Sequence, residues 1–281
     1  MDLAPGLAAL RPLGGFFVLR TGAPPHGRLP TLAQVYAQPA AGPHDSRPLD
    51  ARVRAVARGI RAPEPRVAAS VAHQALAARL WSAALGCAAL YGRIPDLDPR
   101  LLHWDPAAQA PEDLWLTEVR ARPADASTVA DVVLHGHLEP LAAALRARHR
   151  LAPGLLRGNA ASALASTGRL LAAWARDHGR PEAAGRAREL TARLLTHPLL
   201  HGAGTLTGTG FRRRSCCLHY RVPGGGLCGD CCFARPPGSS SQAVSGRPGR
   251  RPAARTKGGG EAAREGDGGE ARQGGGGEAA G

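Results

Sequence analysis

Aromatic residues are scarce in this sequence of 281 residues, where only 4% of the side chains are Phe, Trp or Tyr. A core with few large rings has to be built from Leu, Val and abundant Ala, which favours helices that pack closely at small side chains. Lysine is scarcer still, since Lys257 is the only one and every other basic residue is arginine. Such arginine usage, with so much Ala, Gly and Pro, is typical of GC-rich coding. The net charge of +14 is therefore not evidence of nucleic-acid binding, and we expect no nucleic-acid partner.

The sequence also lacks long apolar runs and a recognisable leader. Its most apolar stretch, residues 67–91, is interrupted by polar side chains, and the twelve residues 80–91 that remain are fewer than the about 17–25 that span a bilayer. Asp2 and Arg11 argue against a secretory signal at the start. Six cysteines are too few for a disulfide-built secreted scaffold. We expect a cytoplasmic protein with reduced thiols and at most peripheral membrane association.

Composition divides the chain into four parts. Frequent proline in residues 1–62 predicts a loosely structured lead-in that packs on the body, with short helical runs at 32–38 and 50–60. Residues 63–205 are predicted to form a helical body, and residues 206–234 a small cysteine-rich segment. Residues 235–281 are rich in Gly, Ala, Arg and Glu and cannot bury enough apolar surface to fold, so we expect a disordered tail.

Helical periodicity dominates the body. Residues 67–91 are apolar on nearly every face, as in a central core helix, and three later stretches have helical spacing with Arg and Glu on an outer face: 134–150, 159–177 and 181–197. A short alternation at residues 114–119 predicts one strand. The expected fold is mainly α, with a minor β element and a C-terminal cysteine-rich loop.

Five of the six cysteines fall within 17 residues, at Cys216, Cys217, Cys228, Cys231 and Cys232. Clustered thiols in a reducing compartment are more often ligands of zinc or iron than disulfides. The run Pro-Gly-Gly-Gly at 223–226 supplies a tight reversal with access to positive φ, which would fold one cysteine pair onto the other.

The cysteine spacing leaves two kinds of site open. Cys228 and Cys231 have the C-x2-C spacing of a zinc knuckle. Cys216 and Cys217 are adjacent, and adjacent side chains diverge in an extended chain, which suits two separated iron atoms better than one ion. The spacing does not match the usual ferredoxin patterns. The residues therefore favour a 2Fe-2S cluster and leave zinc open.

The string RRRSCCLHYRVPGGGLCGDC, residues 212–231, resembles the C-terminal signature of the FhuF family of ferric-siderophore reductases, in which C-C-x10-C-x2-C holds a 2Fe-2S cluster. Segments 66–99, 135–147 and 157–166 resemble the body of that family. The resemblance implies four cluster ligands, with Cys232 an alternative to the last of them: Cys216, Cys217, Cys228 and Cys231.

The same resemblance implies a one-electron reduction that releases Fe(II) from an imported Fe(III)-siderophore in the cytoplasm. The expected partners are a ferric siderophore, for example of hydroxamate type, and an electron donor such as a ferredoxin or a flavin reductase. No catalytic side chain beyond the cluster is expected. Two alternatives are a structural zinc module of a non-catalytic binding protein and a redox-silent relative of the aerobactin-type siderophore synthetases.

Other polar and sulfur-containing side chains have simpler expected roles. Cys87 lies on an apolar helical face and is predicted to be a buried core residue. His135 and His137 are predicted to cap a helix or lie on the surface, and Asn159 to cap the helix that follows it.

Five residues near the cysteines are expected to act on the site or its partners. The consecutive arginines at 212–214 are predicted to place a positive field over the cluster ligands. His219 and Tyr220 lie between the two cysteine pairs, where each either donates to sulfur or packs.

Overall fold

The computed structural model describes residues 3–24, 29–37 and 47–237. The chain divides into two compact units, Met1–Ser239 and Ser240–Gly281, of which the second lies outside the described residues. The predicted disordered tail at 235–281 falls almost wholly outside them as well and stays a prediction.

Helices make up most of the described chain, which confirms the mainly α class. Their residue ranges, in chain order, are α1 Ala4–Ala8, α2 Leu32–Ala37, α3 Pro48–Gly59, α4 Pro65–Tyr91, α5 Ala126–Ala130, α6 Glu139–His149, α7 Pro153–Asp177 and α8 Pro181–Leu195. A π-helix, Asp131–Leu138, joins α5 to α6. Proline opens many of these helices at the first or second position, where its missing N–H costs nothing.

Helix α4 forms the centre of the fold. It is buried along most of its length, as its apolar sequence predicts, and it ends at Gly92, which takes a left-handed conformation with φ of 68°. Helix α7 packs against it, and the indole N–H of Trp81 donates to the carbonyl of Ala160 at 3.1 Å. Small side chains at this contact let the two helices approach closely.

Short strands flank the helices in three small sheets. The strand ranges are β1 Arg20–Thr21, β2 Arg93–Pro95, β3 Leu102–Trp104, β4 Leu114–Leu116, β5 Ala121–Pro123, β6 Gly204–Thr207 and β7 Gly210–Arg213. The first sheet has the order β1-β4-β3, with β1 parallel and β3 antiparallel to β4, and β2 pairs with β5 antiparallel. Strand β4 confirms the predicted strand, although it ends at Leu116.

The described part of residues 1–62 contributes to the core. Leu7, Leu10 and Phe17 are buried, and Leu10 and Phe17 pack on α4 where Gly86 leaves room for them. A Cβ at Gly86 would lie 3.2 Å from both side chains. The ranges of helices α2 and α3 nearly coincide with the two short helical runs predicted at 32–38 and 50–60. The boundary between lead-in and body stays a prediction.

Two sequence expectations about helices are wrong. Residues 134–150 are not one α-helix, because the π-helix runs to Leu138 before α6 begins. Asn159 does not cap a helix, because α7 already starts at Pro153 and places Asn159 in its second turn, fully buried. Of the described residues, no helix is long and apolar enough to cross a membrane.

Candidate metal centre

A β-hairpin leads the chain into the cysteines. Strands β6 and β7 pair antiparallel, with Gly204 opposite Arg213, and Gly208 in the turn has φ of 59°. Gly204 is required by packing, because a Cβ there would lie 2.4 Å from the ring of Phe211. Residues 214–233, called the cysteine segment below, follow directly. The backbone N–H of Arg213 donates to the carbonyl of Asp230 at 3.0 Å, so the end of the segment returns to the hairpin.

The glycine run reverses the chain as predicted. Gly224 and Gly226 have φ of 72° and 58°, and a Cβ at Gly225 would lie 2.7 Å from the carbonyl oxygen of His219. The reversal brings the Sγ atoms of Cys217 and Cys228 to 3.4 Å from each other. The expectation that the turn folds one cysteine pair towards the other is confirmed for these two thiols.

All the clustered thiols are free, and most are partly exposed. Cys217 is buried, whereas Cys216, Cys228, Cys231 and Cys232 are half-buried. Backbone N–H groups point at two of the sulfurs: that of Leu218 lies 3.2 Å from Cys216 Sγ, and that of Phe233 lies 3.4 Å from Cys231 Sγ. N–H donors of this kind stabilise negative charge on sulfur and are a means by which proteins set the potential of iron–sulfur clusters.

The protonation of the thiols depends on their contacts. The hydrogen bond between Cys217 and Cys228 lowers the pKa of Cys217 and raises that of Cys228, because one proton is shared between the two sulfurs. Burial raises the pKa of Cys216 to about 11 and also raises that of Cys232. Metal ligation by these residues therefore requires thiol protons to leave.

A buried chain of hydrogen bonds fixes the cysteine segment to the two central helices. The hydroxyl of Ser70 on α4 donates to the carbonyl of Cys217 at 2.7 Å, and the side-chain amide of Asn159 on α7 donates to the carbonyl of Ser70 at 2.9 Å. The Arg213 guanidinium then donates to Asn159 Oδ1 at 2.6 Å. Residues far apart in sequence thus position the backbone beside Cys217.

Arg213 is a buried cation, only 2% exposed. Its other hydrogen bonds go to neutral oxygens, the carbonyls of Leu155 at 3.2 Å and Ser215 at 3.0 Å among them. Its positive charge adds to the lowering of the Cys217 pKa and partly opposes the raised pKa of Cys228. The guanidinium is therefore placed to balance negative charge on the sulfurs.

Asp230 anchors the second cysteine pair to α7. Its carboxylate is 6% exposed and accepts from the hydroxyls of Ser162 at 2.6 Å and Ser166 at 3.2 Å, one turn apart on the helix. Arg169 lies 3.6 Å from the other carboxylate oxygen. The turn from Cys228 to Cys231 closes with a backbone hydrogen bond of 3.1 Å.

The sequence expectation for the arginines near the cysteines is only partly met. Arg212 and Arg214 are exposed, but Arg213 points into the protein and is part of the hydrogen-bonded chain. Arg221 forms an ion pair with Glu64, which offsets its charge. Tyr220 packs edge-on against Phe233, so its role is packing. His219 Nδ1 is buried and has no hydrogen-bond partner in the described structure.

The remaining candidate residues lie apart from this site. Cys87 is fully buried in the core, as predicted, and burial raises the pKa of its thiol to about 12. His135 is exposed beside Glu139, but the surface role predicted for His137 is wrong. His137 is fully buried and lies 2.9 Å from the hydroxyl of Tyr36, because the π-helix turns it inward.

Comparison with known protein families identifies the cysteine segment. Residues 213–233 match the FhuF 2Fe-2S C-terminal domain. The match contains all five clustered cysteines. Because the matched domain is a 2Fe-2S domain, the cofactor of this FhuF domain is a 2Fe-2S cluster. No curated protein matches the chain. The resemblance of the body segments to the same family stays a prediction.

The residues of the FhuF domain fit a 2Fe-2S cluster by the chemistry of their donors. Thiolates are the ligands that iron–sulfur clusters use, and here the thiols are free, with Cys217 and Cys228 in contact. In the described ranges, no group of three or more His, Cys, Asp or Glu residues is arranged to hold a metal ion. The assignment of Cys216, Cys217, Cys228 and Cys231 as ligands stays a prediction.

Sequence reasoning missed the residues that hold the cysteine segment in place. Ser162 and Ser166 have a local signal, because their spacing puts two hydroxyls on one helical face. Ser70 has none, since its partner Cys217 is 147 positions away in the chain.

Proposed function

We propose that this protein is a cytoplasmic reductase that transfers one electron to the ferric ion of a siderophore. The observation that carries the proposal is the FhuF 2Fe-2S match over the free, clustered thiols of residues 213–233. A bound 2Fe-2S cluster supplies single electrons. Siderophore oxygens are hard ligands that hold Fe(III) more tightly than Fe(II), so reduction loosens the complex and releases iron. The electron comes from an external donor such as a ferredoxin or a flavin reductase.

The protein itself contributes position and electrostatics in this proposal. Cys216, Cys217, Cys228 and Cys231 hold the cluster, with Cys232 the alternative fourth ligand. The half-buried thiols place the site near the surface, where electrons can enter and leave by contact with a partner. Backbone N–H donors and the buried charge of Arg213 stabilise the more negative reduced state. No side chain has to act as an acid or a base, because the reaction moves only an electron.

The first experiment is anaerobic purification followed by iron, acid-labile sulfide and zinc assays and a visible spectrum. We expect a brown protein in which iron and sulfide are present in equal amounts and zinc is absent. Cys228→Ser should bleach it, while Cys87→Ala, which changes a core thiol, should leave the colour. Stoichiometric zinc without sulfide would instead identify a structural zinc module.

The second experiment measures the reaction. The chemically reduced protein is mixed anaerobically with the ferric complex of a trihydroxamate in the presence of an Fe(II) chelator. Oxidation of the protein and formation of the coloured Fe(II) chelate should follow the same time course. Reduced protein that stays reduced against hydroxamate, catecholate and carboxylate complexes alike would contradict the proposed function.

A further inference from the structure

A cavity of about 650 Å³ lies across helix α7 from the cysteine segment, and none of the cysteines lines it. Helix α7 separates the two. One set of α7 residues contacts residues 213–215 or Ser70, namely Gly154, Leu155, Gly158 and Asn159. The alternate positions of the same two turns line the cavity, namely Pro153, Leu156, Arg157 and Ala160. These two sets occupy opposite faces of the helix. The cavity is therefore separated by about one helix width, ~10 Å, from residues 213–215, which lead into the cysteines.

The lining of the cavity combines an apolar wall with cationic groups. Leu138, Leu156 and Leu199 form part of the wall. Arg146 on α6 and Arg157 on α7 both line the cavity, and within the described residues neither guanidinium has a hydrogen-bond or ion-pair partner. The wall suits hydrocarbon or aryl groups, and the two free cations suit negative charge.

The acidic residue in the lining cancels only part of this charge. Glu139 borders the cavity, where its single carboxylate, hydrogen-bonded to the imidazole of His135, is outnumbered by the two guanidinium groups. The cavity therefore offers more positive than negative charge to a ligand. An uncharged or cationic ligand would leave both arginines without a partner.

A buried histidine supplies another polar group. His73 on α4 lines the cavity, is 1% exposed, and has an Nδ1 atom with no hydrogen-bond partner in the described structure. Burial, together with the charge of Arg213, lowers its pKa to about 3, so the ring is neutral at physiological pH. A buried polar atom without a partner is costly, and a ligand or water that reaches it is the usual compensation.

The backbone on the other side of the cavity is unusual as well. Leu134 and Leu138 belong to the π-helix Asp131–Leu138, and both line the cavity. π-Helical turns are rare and are frequently found at functional sites.

From these observations we infer that the cavity is the binding site for the ferric complex, and that it selects complexes with net negative charge, such as tris-catecholates, over neutral trihydroxamates. The inference rests on the proposed function. The volume lies within the roughly 300–1,000 Å³ of small-molecule sites, and helix α7 is the element that lies between the cavity and the cysteine segment. A bound, reduced cluster would supply the one electron that converts Fe(III) to Fe(II), and no bond to the protein would form or break.

The test separates binding from reduction by using gallium(III) complexes, in which the metal is not reduced. Calorimetric titration measures the affinity of the full-length, cluster-loaded protein for the trianionic gallium tris-catecholate and the neutral gallium trihydroxamate. We expect Arg146→Gln/Arg157→Gln to weaken catecholate binding about tenfold or more. The control Arg58→Gln/Arg176→Gln removes two exposed cations outside the cavity and should change the affinity less than about twofold.

A steric variant tests the cavity independently of charge. Ala143 is exposed and lines the cavity, so Ala143→Trp should obstruct binding without disturbing the core. Ala147→Trp, also exposed on α6 but outside the lining, is its control.

Unchanged catecholate affinity in both cavity variants, or no binding by the unmodified protein, would overturn the inference. A stronger preference for the neutral complex would overturn its charge selectivity. Failure of the proposed function gives a different result, namely gallium complexes that bind while no ferric complex is reduced.

Discussion

Arg213 shows how one side chain can differ from its neighbours in sequence. Its guanidinium is buried against Asn159 and backbone carbonyls, whereas Arg212 and Arg214 are exposed. A sequence of three arginines gives no sign of this difference, because the alternation of the β7 strand sends only the middle one inward. The positive field expected over the cysteines therefore comes from two exposed charges and one buried charge.

We predict opposite outcomes for the buried and exposed arginines. Arg213→Gln should lower the melting temperature and the iron content, because it leaves buried acceptors of Asn159 and Leu155 without a donor, at a cost of ~3 kcal/mol or more. Arg212→Gln should keep the iron and weaken the salt dependence of reduction. Iron per chain, thermal melts and stopped-flow rates across a salt series measure these effects. Equal iron loss in both variants would contradict the difference.

A second residue-scale prediction concerns the fourth ligand. Cys231→Ala should lose the cluster and Cys232→Ala should retain it, because the C-x2-C turn closes between Cys228 and Cys231 through a backbone hydrogen bond. The Phe233 N–H already points at the Cys231 sulfur. Visible spectra and iron content of the two anaerobically purified variants show whether Cys231 or Cys232 is the fourth ligand. A brown Cys231→Ala protein beside a colourless Cys232→Ala protein would shift the ligand by one position.

At the scale of elements, the contact between α7 and the cysteine segment depends on Gly158. A Cβ at this position would lie 2.4 Å from Ser215 Oγ and 3.0 Å from the Arg213 guanidinium. Ser215 is already held by its bond to the carbonyl of Gly154. The close approach leaves no space for a side chain.

We therefore predict that Gly158→Ala destabilises the protein by about 1–3 kcal/mol and lowers its iron content. Gly154→Ala is the matched control, because it lies one turn earlier in α7 and nothing lies within 4 Å of the added Cβ. It should leave stability unchanged or raise it slightly, since Ala is the better helix former. Denaturant unfolding and iron assays measure both. Similar destabilisation by the two variants would mean that the loss of glycine in the helix, and not the contact, is responsible.

Helices were predictable from sequence where local signals agree with the fold. Helix α4 was predictable because its apolar residues cover every face, and α8 because its polar face is clear. The π-helix Asp131–Leu138 was not, since its sequence has ordinary helical spacing and the partner of His137, the carbonyl of Leu97, comes from a distant part of the chain. Asn159 was misjudged for a similar reason, as its partners Ser70 and Arg213 come from distant parts of the chain.

For the whole molecule, buried histidines make stability depend on pH. Burial lowers the pKa of His137 to about 4 and that of His73 to about 3, from an ordinary value near 6.5. The two imidazole rings therefore bind protons in the unfolded chain as the pH falls below 6.5, whereas in the folded chain they bind protons only at about pH 4 or lower. The stabilisation is complete above pH 6.5 and is lost as the pH falls towards 4, by up to about 1.4 kcal/mol per pH unit for each ring.

His73→Leu should make this loss shallower, because it removes one of the two rings and His73 Nδ1 has no hydrogen bond to lose. Melting temperatures of the variant and the unmodified protein, recorded side by side from pH 7.5 to pH 4.5, measure the difference. Parallel curves would show that His73 does not contribute to acid sensitivity.

The position of the cysteine segment in the chain also determines the order of events during synthesis. The helices that anchor it, α4 and α7, leave the ribosome first, and domains tend to fold from the N-terminus onwards. Until the segment emerges, Ser70 and Asn159 have no partner in Cys217 or Arg213. The nascent body thus carries unsatisfied polar groups at the place where the cysteines will dock. A chain truncated before residue 213 should therefore be degraded by quality-control proteases instead of accumulating as a stable protein.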